Sequence, residues 1–132
     1  MSDVSLSVPA RPAFLHVIRA VVSGVAARQG FSYEGIEDVC LAANEAAGYL
    51  LGLRDPAQRI RLVMRPAGGD GAADGGVELF FARDAPSSGW PPAERESLAW
   101  VILSSLVPGV EFAMEDGCPA IRMRMVGTGD RP

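Results

Sequence analysis

Lysine is absent from this 132-residue chain, so all 12 basic residues are arginine. A GC-rich coding sequence explains that bias as well as any physical requirement does. Cysteine is nearly absent: Cys40 falls inside a helical pattern and Cys118 in a turn, a pair that makes neither a disulfide framework nor a metal-ligand spacing. The expectation is one buried thiol and one loop thiol. The one histidine, His16, has no Cys, Asp or Glu at ligand spacing, which places it on a helix flank and excludes a zinc site. Long apolar runs are missing too. None approaches the roughly 20 residues that span a bilayer, so no transmembrane helix is expected. The opening Met1-Ser2-Asp3-Val4 has neither a basic nor an apolar export region, making the cytoplasm the expected compartment. A net charge of −4 lacks the basic excess that phosphate backbones select, which argues against nucleic acid and for a protein partner.

Hydrophobic residues make up 48% of the chain against 21% charged, the balance of a packed fold. There is no repeat and no second domain, so residues 1–132 read as one domain. Residues 4–8 alternate apolar and polar and read as a half-buried strand closed by Pro9. Over residues 12–29, Phe14, Val17, Ile18, Val21, Val22 and Val25 recur at helical spacing, and Gly30 ends that helix. Ser32 caps a second helix, with Glu34 and Glu37 near the positive end of its dipole. Its stripe is Ile36, Val39, Cys40, Ala43, Ala47 and Leu50; the alanines and Gly48 predict close approach to a sheet, and Pro56 is the expected stop.

Residues 60–65 and 77–82 read as strands flanking a Gly/Asp-rich connector, and residues 93–106 as a third helix. Strands over 110–114 and 121–125 are joined by Glu115-Asp116-Gly117-Cys118-Pro119, a turn signal. The order βααββαββ predicts an α+β two-layer sandwich, with helices on one face of a mostly antiparallel sheet. Arginines at 61, 65, 122 and 124 mark the second face as wet.

That order, with Leu41-Ala42-Ala43-Asn44-Glu45-Ala46-Ala47, resembles the RsbW and SpoIIAB type of anti-sigma factor and serine-protein kinase in the GHKL (Bergerat-fold) ATPase superfamily. The resemblance extends over nearly the whole chain. It implies that Glu45 matches the family's catalytic glutamate, while Tyr49 stands where an asparagine would hold magnesium and Leu53 where a histidine often follows. A phenol does not replace an amide oxygen on a hard octahedral cation. The family's Asp-x-Gly-x-Gly, whose aspartate reads adenine, corresponds to Asp84-Ala85-Pro86-Ser87-Ser88, with Asp84 kept and both glycines lost. Pro86 fixes φ and removes an N–H there. The Gly-x-Gly phosphate loop corresponds to Ser97-Leu98-Ala99-Trp100, and the short connection after Asp84 leaves no room for an ATP lid.

In these losses, and in its Ser-x-x-Trp segment, the chain resembles the divergent actinobacterial branch that includes the mycobacterial UsfX type. The implied function is sequestration of an alternative sigma factor, released by a STAS-type anti-anti-sigma factor, with a homodimer when free. Neither ATP nor magnesium is expected as a cofactor. The alternative is a working serine-protein kinase acting on that antagonist. Glu45 then reads as a vestige or a polar flank residue, and Asp84 as a vestigial adenine reader or a turn cap. Arg19 lies opposite the first helical stripe and matches an arginine that related anti-sigma factors turn toward sigma; a solvated helix arginine is the bland alternative. Trp90, among Gly89, Pro91 and Pro92, is a candidate interface anchor weighed against core or loop packing, and Trp100 is either core or anchor.

Overall fold

Alternating and helical periodicities each settle into one layer of a two-layer structure, seen in a computed structural model that describes residues 3–66, 76–91 and 98–126. The elements are β1 (Val4–Pro9), a 3-10 turn (Pro12–Phe14), α1 (Leu15–Arg28), α2 (Tyr33–Leu51), β2 (Arg59–Pro66), β3 (Val77–Arg83), α3 (Leu98–Leu106), β4 (Glu111–Glu115) and β5 (Cys118–Met125). The five strands form one sheet in the order β1-β2-β3-β5-β4, every neighbouring pair antiparallel. β3 and β4 therefore run parallel, and a parallel pair needs a crossover. α3 lies on that crossover.

The inward residues of the sheet are Ile60, Leu62, Met64, Val77, Leu79, Phe81, Ile121 and Met123, all buried against the helices. α2 is the central helix: it packs on α1, α3, β2, β3 and β5. Ala42, Ala43, Ala46 and Ala47 are fully buried along it, so short side chains bring its backbone close to the sheet. Gly48 plays no part in that approach, because a Cβ built there meets nothing within 4 Å. The Ser32 hydroxyl accepts from the Gly35 N–H at 3.0 Å and starts α2 as its cap. α2 ends at Gly52, ahead of the expected stop at Pro56.

Two further boundaries differ from expectation. Pro12 opens a 3-10 turn, and the α-helix proper starts at Leu15, since proline suits a first turn but lacks the N–H a helix interior needs. β5 starts at Cys118, which sits opposite Glu115 in the ladder rather than in the turn. Asp116 (φ +53°) and Gly117 (φ +78°) alone make the hairpin, both left-handed as a twist-matched two-residue turn requires. Of the connector expected over 66–76, residues 67–75 lie outside the described residues, as does the expected start of the third helix, 93–97, with Ser97.

The second sheet face carries the outward arginines. Arg61 pairs with Glu115, Arg65 with Asp3 and Arg122 with Glu111, while the Arg122 guanidinium lies 5.3 Å over the Phe80 ring. Among the described residues no helix is long and apolar enough to cross a membrane, and no group of three or more His, Cys, Asp or Glu could hold a metal.

Candidate functional site

Glu45 and Tyr49 lie one turn apart on α2, on the flank facing α3. Residues four apart share a helix face, so the spacing alone brings them together. They line a notch of about 410 Å³ with Leu15, Asn44, Gly48, Gly52 and Leu98. The described lining contains one carboxylate, one amide and no cation. Glu45 is half-buried and has no hydrogen bond or ion pair among the described residues.

Tyr49 is packed into a ring cluster. Its centroid lies 5.2 Å from Phe112 and 6.0 Å from Trp90, and Phe112 in turn lies 4.7 Å from Trp90 and 4.8 Å from Trp100. Tilted and edge-on contacts at these separations are the favourable geometry for aromatic quadrupoles. The Trp90 indole N–H donates to the Ala113 carbonyl at 2.8 Å, anchoring the cluster to the edge strand β4. Trp90 is thus half-buried between α2 and β4, and the rings fill the space that separates the second helix from the end of the sheet.

Asp84 does not join Glu45. β3 turns Val77, Leu79, Phe81 and Arg83 inward and Glu78, Phe80 and Ala82 outward, so the next residue falls on the wet side. There its carboxylate accepts from the Gln58 N–H at 2.9 Å, in a depression shared with Ser7, Arg59, Arg61 and Glu115. Partial burial acts to raise its pKa, but backbone hydrogen bonds at Arg59, Gln58 and its own N–H, together with the Arg83 charge, outweigh that and hold it below the ordinary value of 3.8.

Arg83 is what reaches the interior. It is 3% exposed, and its guanidinium donates to Leu50 O at 3.0 Å, Ala85 O at 2.9 Å and Asp55 O. Leu50 is in the last turn of α2, where unpaired carbonyls carry partial negative charge. Asp55, in a left-handed conformation (φ +66°), also accepts from Ser88 N–H at 2.9 Å, and Ser87 Oγ donates to Arg54 O at 2.8 Å. The α2–β2 loop and the segment after β3 are stitched together around one arginine. That segment delivers Trp90 to the ring cluster.

Arg19 is exposed on α1 and donates from Nη1 to Asn44 Oδ1 at 2.7 Å, which fixes its direction across the α1–α2 surface. Beside it, burial pushes the Cys40 thiol up in pKa, with Arg19 opposing. Sequence reasoning placed Glu45, Tyr49 and Arg19 on their helices but missed Arg83 and the role of Phe112. The inward phase of β3 carried the first signal: continuing 77, 79, 81 reaches 83.

No family model matches the chain. Similarity to curated proteins covers 43 residues, a third of this chain and 27% of each relative's length: 51% identity with the serine-protein kinase RsbW of Oceanobacillus iheyensis, 44% with that of Bacillus subtilis and 46% with that of Listeria monocytogenes. The similarity is to the RsbW group at family level, and the α+β architecture is consistent with a GHKL-like two-layer fold.

Proposed function

We propose that this protein is an anti-sigma factor that works by binding alone: it sequesters an alternative sigma factor away from core RNA polymerase and yields it to a STAS-type anti-anti-sigma competitor. The partial similarity to RsbW supports the partner class. One observation carries the loss of chemistry, namely that Tyr49, at the position of the expected magnesium ligand, is packed against Trp90 and Phe112. Magnesium takes oxygen ligands in a near-ideal octahedron, and polyphosphate needs cations or amides around it. The described lining of the notch beside Glu45 supplies no cation, the oxygen of its one side-chain amide, Asn44, is already taken by Arg19, and Asp84 lies on the other sheet face. The described residues do not fit Mg-ATP.

Arg19, exposed and aimed by Asn44, suits bidentate pairing with a carboxylate on the partner. Trp90 acts on this reading as an inner support of the binding surface. β1 is an edge strand with Ser5 and Ser7 exposed and Arg59 bonded to the Ser7 carbonyl and hydroxyl, and an edge of this kind supports a homodimer as the resting state. The relatives' name, serine-protein kinase, favours a second reading, phosphorylation of the antagonist. Two measurements separate them. Co-purification with sigma factors from the same genome is expected to retain one at micromolar concentration, and titration with Mg-ATP is expected to give no saturation in the millimolar range and no phosphate transfer. Saturable ATP binding with transfer establishes the kinase; retention of no sigma factor removes the anti-sigma reading.

A further inference from the structure

The notch at Gly48 has apolar walls, two glycines in its lining and a carboxylate, Glu45, with no partner among the described residues, a combination that the loss of nucleotide chemistry leaves unexplained. Leu15 walls it from α1, Tyr49 from α2 and Leu98 from α3. Leu98 is 74% exposed, and Val101 on the next turn of α3 and Leu41 on α2 are 51% and 45% exposed. α3 runs antiparallel to α2, since Leu98 lies by Gly48 and Gly52 whereas Leu106 lies by Gly35 and Val39. Spacing of three (98, 101) and of seven (41, 48) puts these residues on the faces of α3 and α2 that flank the notch, which a partner would meet as one apolar groove.

Charge selects the occupant. α2 carries Glu34, Glu37, Asp38 and Glu45 and no basic residue, and α3 carries no charge from Leu98 to Leu106. Arg19 donates to Asn44, not to Glu45. A phosphate or an acidic peptide would be repelled here. The backbone excludes an extended strand as well, because α2 and α3 bond their own N–H and C=O groups internally and offer no ladder to a peptide that must satisfy its own. A helix arrives with that requirement already met.

We infer that this groove docks an amphipathic helix of a partner protein, one that seats a large aliphatic side chain over Gly48 and places a lysine or arginine one turn away against Glu45. The inference rests on the reading of the chain as a protein-binding module and adds the surface and the chemistry of the partner. Gly48 offers a clean test: because an added Cβ meets nothing and alanine or leucine favours a helix over glycine, a larger residue there is expected to fill the notch without loss of fold.

The probe is a synthetic amphipathic helix of roughly 15 residues built from leucine, alanine and lysine, titrated by fluorescence anisotropy alongside its counterpart with glutamate for lysine. The lysine peptide is expected to bind saturably and to weaken with salt, and the glutamate peptide to bind at least about tenfold more weakly. Gly48→Leu is expected to weaken the lysine peptide by at least about tenfold with no fall in melting temperature, and Glu45→Gln to weaken it several-fold. Equal binding by Gly48→Leu, or by the two peptides, overturns the inference. So does a wild-type dimer that Gly48→Leu converts to monomer, since the groove is then filled by a second copy. Peptide binding that Gly48→Leu abolishes, from a chain that retains no sigma factor, upholds the groove and removes the anti-sigma reading. A sigma factor retained equally by wild type and variant, with no peptide binding, does the reverse.

Discussion

Arg61 and Arg83 sit on adjacent strands one step out of phase, and that step separates two kinds of arginine. Arg61 faces Ala82 across the ladder, so it shares the wet face and meets Glu115 with both side chains about 40% exposed. Arg83 is one residue further along β3, points into the protein, and meets carbonyls where a carboxylate would be usual. The wet pair exchanges water for a partner it can do without. Arg83 satisfies the buried Leu50 carbonyl and two part-buried ones, and an unsatisfied buried acceptor costs its full desolvation.

The largest effect belongs to Arg83→Met, which strips donors from Leu50, Ala85 and Asp55 together. It is expected to lower unfolding free energy by about 3 kcal/mol in chemical denaturation, with a red shift in tryptophan emission as Trp90 loses its support. Arg83→Lys keeps the charge without the planar fork and should recover less than half of the loss. A cost no larger than that of Arg61→Ala would erase the distinction between the faces.

Next in size is Trp90→Ala, expected to cost about 2 kcal/mol, less than a fully buried tryptophan because the ring is half-exposed. Near-ultraviolet circular dichroism should lose the signal of the ring cluster. Arg61→Ala follows at no more than about 1 kcal/mol, shrinking further in high salt because exposed ion pairs are screened.

The smallest expected effect is a pH dependence at Asp84. Its folded pKa lies below 3.8, so the stabilisation is present in full above that value and disappears as pH falls through the folded pKa. Asp84→Asn should therefore cost about 0.5 kcal/mol at neutral pH, a figure reduced for exposure. The two proteins should converge under acid, read as denaturation midpoints between neutral pH and the acid limit.

Much of the architecture was readable in one dimension. Strand alternation and helical stripes are local periodicities, and they predicted the order of elements, the Ser32 cap and the wet face of arginines. The site was less readable. Trp90 read either as an interface anchor or as core or loop packing, because its burial depends on Phe112 and Ala113, some 23 residues away. Asp84 read as a vestigial adenine reader or a turn cap, and it is strand parity at β3 that turns it to the wet face, away from Glu45. Gly48 suggested close packing by its small size and instead leaves a notch open to the surface.

The chain by itself determined which segments are helix and strand and which face of each is apolar, because those follow from spacing along a few consecutive residues. Only the tertiary structure decided what fills the space beside Glu45 and where the lone buried charge among the described core residues, Arg83, finds its partners. The Arg83 bonds to Leu50 and Asp55 alone join residues 28 to 33 positions apart in sequence. No local pattern encodes which distant carbonyls a buried guanidinium will meet.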